Sequence, residues 1–278
     1  YNNVGVGKEA LMNVSSGYQH VAIGVAAGKS VTTALRNVII GASAVENSNT
    51  DESVIIGAYA GFATTTAIDS SVIIGTYAAQ NASPSNAVIL GRQAGYYASG
   101  AGNTYMGYQS GFGDASTNGG TYNTAVGYEA MEKVQDADEN VAVGSQALWD
   151  NTSGDSNVAI GGNALYRNTT AAHNVAVGHR AMFTSTTAAQ NVSIGKSTLY
   201  SLTDGDNNVA IGYKAGYDVT TGTENVLVGP EAGENLIAGA YNVAIGSDAL
   251  KTSTAANYSV AIGKNAMGSG DVTATRHT

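Results

Sequence analysis

The chain repeats one pattern of hydrophobic and polar positions along almost its whole length. Each copy usually opens with Asn, continues with three mostly apolar residues rich in β-branched side chains, and closes with Gly. Two mostly polar residues follow, then Ala, then Leu, Met or Gly, and a stretch rich in Thr, Ser, Asn and Gly leads to the next copy. The apolar triplet predicts a short strand, and the polar stretch predicts turns.

The closing Gly sets the period of the repeat. It occurs sixteen times, at positions 7, 24, 41, 57, 75, 91, 107, 127, 144, 161, 178, 195, 212, 229, 246 and 263. The steps vary between 41 and 127 and are all 17 residues from 127 to 263. Such a coil is too short for a helical-hairpin repeat, which needs about 33 residues. The sequence predicts an all-β fold, a β-solenoid of about sixteen coils over residues 1–267, with an exit segment at 268–278.

Composition excludes several classes of protein. Hydrophobic residues make up 43% of the chain, which argues against disorder. Cysteine is absent, so no disulfide framework or thiol chemistry is expected. The net charge of −9 argues against a nucleic-acid partner, and no apolar run approaches the roughly twenty residues of a membrane span. The chain opens inside a repeat without Met, so we expect a part of a longer protein.

The three apolar positions of each strand predict an interior and an interface. The first and third positions, such as Val21 and Ile23, share one face and are predicted to fill the coil interior. The middle position points the other way yet is also apolar, and a single-layer solenoid has nothing of its own to cover it. We therefore expect it to contact other chains, a row of weakly exposed Ala being the alternative. The predicted interface residues are Ile39, Ile55, Ile73, Ile89, Ala142, Ala159 and Leu227.

Two further columns are predicted to be structural. The Gly column is complete, which indicates a positive φ or a close backbone approach at the end of each strand; the regular coils contribute Gly127, Gly144, Gly161, Gly178, Gly195 and Gly212. The Asn column is predicted to form hydrogen-bonded ladders and to cap the turns; it includes Asn140, Asn157, Asn174 and Asn208. It is interrupted at His20, Ser53, Ser71, Ala87 and Ser259.

The repeat resembles that of a known family of surface proteins. Ser259-Val260-Ala261-Ile262-Gly263 is similar to the Ser-Val-Ala-Ile-Gly phrase in the YadA-like head repeats of trimeric autotransporter adhesins. The longer phrase from Asn123 to Ala130 is similar to repeats in tail-fibre and adhesin-like proteins of marine bacteriophages. The resemblance covers Asn3 to about Met267. It implies a left-handed parallel β-roll and a parallel homotrimer, displayed on a cell surface or a virion and binding a surface receptor.

The sequence also departs from the family pattern. Adhesin heads usually have shorter coils, with Ser or Ala where this chain has Leu-Tyr or Met-Phe. These residues contain neither a coiled-coil stalk nor a β-barrel anchor, so the resemblance is to a head alone.

An aromatic column is the sharpest candidate for ligand binding. Five successive coils carry an aromatic residue five positions after the closing Gly, namely Trp149, Tyr166, Phe183, Tyr200 and Tyr217. Tyr96 and Phe112 precede them, and Glu132 interrupts the column. Stacked rings offer apolar faces to sugars, whereas the alternative is that they seal the coil edge or a subunit interface. A second candidate is the longest insertion, at 113–122, with Asn118 and Tyr122, for which a plain spacer is the alternative.

No catalytic, cofactor or metal site is predicted. The four His residues fall at unrelated positions of the repeat, so no Ser-His-acid constellation is indicated. Left-handed β-helix acyltransferases share an Ile-Gly-x-x-Ala phrase, but they need three such hexads per coil and this chain has one. The segment from Asp136 fails as an EF-hand loop because its sixth position is Val141 and its twelfth is Ala147. Asp138 and Asp155 occupy equivalent places, which solvated loops explain better than a shared ion.

The sequence predicts an extracellular attachment fibre, either a phage tail fibre or a bacterial adhesin head. Its predicted partners are two further copies of itself and a glycan or protein receptor on a cell surface. The alternative is a structural shaft without a ligand of its own. An ice-binding solenoid is a minor alternative, because the recurring Thr pairs lie in the turns and are expected to drift in register.

Overall fold

A computed structural model describes residues 2–62, 67–114 and 119–269, with the backbone alone at 275–277. Strands and turns account for these residues, and no helix occurs in the described ranges. The strands are β1 (Val4–Val6), β2 (Val21–Ile23), β3 (Val38–Ile40), β4 (Val54–Ile56), β5 (Val72–Ile74), β6 (Val88–Leu90), β7 (Thr104–Met106), β8 (Thr124–Val126), β9 (Val141–Val143), β10 (Val158–Ile160), β11 (Val175–Val177), β12 (Val192–Ile194), β13 (Val209–Ile211), β14 (Val226–Val228), β15 (Val243–Ile245), β16 (Asn257–Ile262) and β17 (Thr275–His277).

The strands stack in parallel, one per coil. The chain divides into two units, Tyr1–Glu139 with β1–β8 and Asn140–Thr278 with β9–β17. Within each unit, every strand pairs in parallel with the next strand along the sequence, and equivalent residues align, as Val158 does with Val175. The predicted all-β solenoid is therefore confirmed, with about 15 turns and a repeat of about 17 residues. The predicted exit segment contains β17, which pairs with β16.

The prediction of which strand residues face inward was wrong. The middle residue of each strand from β2 to β15 is buried inside its own coil, and the first and third residues are half-buried or exposed. All seven residues predicted to contact other chains are fully buried in the interior: Ile39, Ile55, Ile73, Ile89, Ala142, Ala159 and Leu227. Side chains as different as Ser193, the Ala residues and Tyr105 fit at this position, because the residues after the Gly fill the remaining space.

The other half of the core comes from the turn that follows the strand. Ala164 and Leu165, three and four residues after Gly161, are fully buried. Leu165 has a left-handed backbone with φ of 49°, a conformation that costs a residue with a Cβ about 1–2 kcal/mol. Burial of a Leu side chain contributes about 1.5–3 kcal/mol, so core packing offsets the strained turn. The same position carries Leu148, Met182 and Leu199 in neighbouring coils of the second unit.

The Gly that ends each strand from β1 to β16 has a positive φ, and those that end β1–β7 and β9–β15 also closely approach the backbone of the next coil. Gly161 has φ of 131°, and a Cβ placed on it would lie 2.7 Å from the carbonyl oxygen of Gly178 in the next coil. Any side chain here would be strained in its own backbone and would also collide with the neighbouring coil. The close approach lets Gly178 N donate a hydrogen bond to Ile160 O at 2.7 Å.

Buried Asn side chains form a continuous ladder in the second unit. Asn174 Oδ1 accepts hydrogen bonds from the backbone N of Asn191 at 2.9 Å and from its Nδ2 at 3.2 Å. Asn174 Nδ2 donates to Asn157 Oδ1 at 3.2 Å and to Ala188 O at 2.8 Å. The ladder joins Asn140, Asn157, Asn174, Asn191, Asn208, Asn225 and Asn242, and Ser259 N donates to the last member. Each coil thus satisfies a buried backbone donor of the next, as buried polar groups require.

Candidate binding surfaces

The outward positions of the strands form an apolar surface in each unit. We call the first and third residues of β1–β15, together with Val260 and Ile262 of β16, the Val/Ile face. In β9–β16 both outward positions are aliphatic on every strand, and examples are Val158 and Ile160, with Ile160 41% exposed. In β1–β6 they are also all aliphatic, and β7 and β8 each carry one Thr. The apolar pattern did not reveal this surface, because its side chains were predicted to fill the coil interior.

The predicted aromatic column is a stack of five half-buried rings in the second unit, which we call the aromatic ladder. The centroid distances are 5.2 Å for Trp149–Tyr166, 5.1 Å for Tyr166–Phe183, 5.2 Å for Phe183–Tyr200 and 5.0 Å for Tyr200–Tyr217. The interplanar angles are between 3° and 9°. One coil step brings each ring onto the next, because equivalent residues are separated by the strand spacing of about 4.8 Å.

The ring faces inside the ladder are occupied by neighbouring rings. A sugar cannot enter between rings whose centroids are 5.0–5.2 Å apart, so the stacking of sugars on these faces, which the sequence suggested, is not available within the ladder. The ring edges and the tyrosine hydroxyl ends remain as the surfaces that a ligand would meet. A separate pair of rings at the same repeat position occurs in the first unit, where the ring centroids of Tyr96 and Phe112 are stacked 5.0 Å apart.

The predicted insertion is only partly described. Tyr122 is 66% exposed, and its ring covers Gly102 of the preceding coil, where an added Cβ would lie 2.6 Å from Tyr122 Cδ1. Asn118 lies outside the described residues. Tyr122 is therefore accessible to a ligand, while its backbone N donates to Ala101 O at 3.0 Å and holds the residue on the solenoid.

The Thr residues of the turns are aligned, and the prediction that they drift in register was wrong. Thr152, Thr169, Thr186, Thr203 and Thr220 all lie eight residues after the closing Gly. Thr152 Oγ1 donates to Thr169 O at 3.0 Å, and Thr169 Oγ1 donates to Thr186 O at 3.2 Å. Thr203 and Thr220 make the same bond to the following coil. These four hydroxyls use their single protons within the chain, so they offer a ligand only acceptor lone pairs and methyl groups.

Titratable groups in the described residues form no metal-binding cluster. No group of three or more His, Asp or Glu there is arranged to hold an ion. Asp138 Oδ1 accepts from the backbone N and the hydroxyl of Thr121, at 2.6 and 2.9 Å. The described ranges also contain no helix long and apolar enough to cross a membrane.

His20 is a buried, titratable residue that occupies one position of the Asn column in the first unit. Its side chain is fully buried, and its Nδ1 lies 3.3 Å from the backbone N of Asn37, where an Asn oxygen would otherwise accept. Burial lowers the pKa of His20, and the carbonyl of Ala34 and the charge of Asp51 oppose that shift. The neutral ring, whose Nδ1 can accept a hydrogen bond, is therefore the form that fits this buried position.

Comparison of the chain with protein-family models and with curated proteins finds no match in either search.

Proposed function

We propose that this chain is a segment of an extracellular attachment fibre, built as a parallel homotrimer and carried on a phage tail fibre or a bacterial surface. The Val/Ile face carries the proposal. In the second unit it presents two outward aliphatic side chains on each of eight successive strands. Monomeric proteins rarely expose contiguous apolar patches larger than a few hundred Å².

The size and chemistry of the Val/Ile face suit a second and third copy of the chain. A partner in a stable interface contributes about 800 Å², and eight strands of half-exposed Val and Ile supply an area of that order. The face carries no charge in β9–β16, so copies would bury it without desolvating ions. The resemblance of the repeat to trimeric adhesin heads favours three copies over two.

A trimer of parallel solenoids would act through multivalency. Three copies present each outer surface three times at fixed separation, and linked sites raise the effective concentration of the second and third contacts. Weak contacts to a glycan or protein receptor would then sum to stable attachment. The aromatic ladder and Tyr122 lie outside the Val/Ile face and remain available for such contacts.

The trimer is tested by the mass of the protein in solution. Light scattering should give three times the chain mass for the wild type. Ile160→Lys should shift the mass towards the monomer, because a charge would be buried at the interface. Ile237→Lys is the matched control, since Ile237 is 45% exposed but lies in a turn; it should stay trimeric. A folded wild-type protein with the mass of one chain would contradict the proposal.

Attachment is tested separately with fluorescently labelled protein on a panel of bacterial surfaces and on a glycan array. Saturable binding that weakens in the Ile160→Lys monomer would support multivalent attachment. A stable trimer that binds none of these surfaces would instead indicate a shaft without its own ligand.

A further inference from the structure

One part of the second unit has an unusual distribution of charge. The chain contains 21 acidic residues, yet none lies between Ser156 and Thr203. The same stretch contains Arg167, Arg180 and Lys196, all exposed. We call these three residues the basic patch. They lie in three successive coils but at different positions of the repeat, six, two and one residues after the closing Gly, respectively. Asp150 occupies the position equivalent to Arg167 in the preceding coil, so in this chain of net charge −9 the positive charge is centred on Arg180 and Lys196.

The cations of the basic patch lack the carboxylate partners found elsewhere. Ion pairs in the described residues neutralise cations in both units, as in Lys29–Glu9 at 2.9 Å and Lys214–Glu234 at 3.2 Å. No ion pair among the described residues includes a member of the basic patch. Their charges are therefore free to meet an anion from solution.

The basic patch borders the aromatic ladder. The Arg180 guanidinium carbon lies 5.7 Å from the centroid of the Phe183 ring, a distance at which a cation and a ring attract. Arg167 follows Tyr166 directly in the chain, and Lys196 lies four residues before Tyr200. The contact with Phe183 holds Arg180 beside the ladder and reduces the entropy that it would lose on binding a ligand.

We infer that the basic patch and the edge of the aromatic ladder bind an acidic polysaccharide, an inference that rests on the proposed attachment function because it names the ligand class. Arg and Lys form charge-assisted hydrogen bonds with the carboxylate or sulfate groups of such a polymer. The hydroxyls of Tyr166 and Tyr200, as donors and acceptors, suit the sugar hydroxyls between those charges.

A nucleic acid fits this surface less well. Single-stranded nucleic acids bind by stacking bases on free aromatic faces, and the faces inside the ladder are already stacked on each other. Polynucleotide affinity also depends on many phosphate contacts, whereas the patch offers three cations in an acidic protein.

The test measures binding of four polymers to the full chain at low ionic strength: polygalacturonate, dextran sulfate, neutral dextran and an oligothymidylate. At least one of the two acidic polysaccharides should bind more tightly than dextran. The variant Arg180→Gln/Lys196→Gln should weaken that binding by at least about tenfold, since a single charge-assisted contact is worth about that much. The control Lys8→Gln/Lys264→Gln makes the same change in net charge at exposed positions outside the patch and should change binding by less than about twofold.

Three outcomes would overturn the inference. They are equal binding of dextran and the acidic polysaccharides, an unchanged affinity in the patch variant, and binding of oligothymidylate as tight as that of the polysaccharides. Attachment of the labelled protein to bacterial surfaces without affinity for either acidic polysaccharide would reject this ligand class and leave the attachment function standing.

Discussion

A run of coils in each unit fills the interior with large and small side chains in opposite arrangements. In the first unit, the middle strand position carries large residues in five successive coils: Ile39, Ile55, Ile73, Ile89 and Tyr105. The turn position four residues after the Gly is then mostly small: Val45, Gly61, Ala79, Gly95 and Gly111. In the second unit, β9–β12 carry Ala or Ser at the strand position, and the turn position carries Leu148, Leu165, Met182 and Leu199.

One coil of the second unit shows that the two positions compete for the same space. Leu227 occupies the strand position that Ala holds in the neighbouring coils, and Gly216 and Gly233 occupy the facing turn positions. A Cβ added to Gly216 would lie 2.7 Å from Leu227 Cδ1, and one added to Gly233 would lie 2.8 Å from Leu227 Cδ2. Leu227 therefore fills the space that Gly leaves in its own coil and in the preceding one, so strand and turn positions of neighbouring coils share volume, as expected for a closely packed core.

Removing the largest buried side chain should have the largest effect. Tyr105→Ala should lower the free energy of unfolding by about 3–5 kcal/mol, because it empties a large part of the core. Adding Gly111→Leu should restore part of that loss, since the pair would then match Ala159 and Leu165 of the second unit. In the wild-type background Gly111→Leu should destabilise, because a Cβ there would lie 2.4 Å from Tyr105 Cδ1.

Denaturation followed by circular dichroism would measure these changes. Tyr122→Ala is the control, since Tyr122 is exposed and should cost less. If the double variant were as unstable as the sum of the two single variants, the exchange of volume between strand and turn would be refuted.

In the second unit, the exchange of volume can be tested in the opposite direction, by moving volume from the turn residue to the strand residue. Leu165→Ala should cost about 2–5 kcal/mol through the cavity that it leaves. The double variant Ala159→Ile/Leu165→Ala reproduces the pair Ile73 and Ala79 of the first unit and should be more stable than Leu165→Ala alone. Thermal melts of four proteins, namely the wild type, Ala159→Ile, Leu165→Ala and the double variant, measure the coupling. Independent effects of the two substitutions would show that the second unit packs by a different rule.

These pairs also explain what the sequence could and could not predict. The closing Gly and the strand triplet repeat in every coil, so period, strand positions and parallel stacking followed from the pattern. The pattern did not show which strand residues point inward, because all three positions are apolar and lack the polar–apolar alternation that distinguishes the two faces of a strand. The sizes of paired residues contained the signal for the inward direction. A large strand residue goes with a small turn residue at Ile55 and Gly61, and a small strand residue goes with a large turn residue at Ala159 and Leu165. A residue whose size varies inversely with that of a turn residue must share an interior with it.

The candidate surfaces were predictable to a similar extent. The aromatic ladder follows from five rings at one position of a 17-residue repeat, and the rings stack as the spacing implies. That their faces would be occupied follows only from the distance between coils. The Val/Ile face could not be found while its residues were assigned to the core, whereas the alignment of the Thr residues was already present in the sequence, since each lies eight residues after the closing Gly.

The two units also differ in the buried hydrogen bonds of the Asn column, and we expect this difference to have a smaller effect on stability. Asn174→Ala removes a side chain that makes four ladder bonds and leaves the backbone N of Asn191 without its side-chain acceptor. We expect a cost of about 1–3 kcal/mol. Ser71 in the first unit accepts from Ala87 N at 3.1 Å and donates to Asp69 O at 2.9 Å, so Ser71→Ala should cost about 0.5–1.5 kcal/mol.

Urea titration of both variants, with exposed Asn13→Ala as the control, would measure the difference. An Asn174→Ala variant as stable as the wild type would show that the second unit does not depend on its ladder.

The smallest expected effect is a difference between the units in how their stability depends on pH. In the second unit the ladder from Asn140 to Ser259 contains no titratable member, whereas the first unit places buried His20 in that column. Burial lowers the pKa of His20 below its ordinary value of 6.5, so the folded state binds its proton less readily than the unfolded state does. The stabilisation is complete above pH 6.5 and is lost as the pH falls towards the lower pKa of the folded state.

Protonation would also remove the Nδ1 acceptor that faces Asn37 N at 3.3 Å. The variant His20→Asn restores the residue that the ladder normally carries and cannot titrate. The melting temperature of the wild type relative to this variant should therefore fall between pH 7.5 and pH 5, while the difference between the wild type and exposed Asn13→Ala should stay constant with pH. Because the same carboxylates titrate in the wild type and in His20→Asn, their effect on the melting temperature cancels in the difference between the two proteins. A difference in melting temperature that stays constant with pH would mean that His20 adds no acid sensitivity to the first unit.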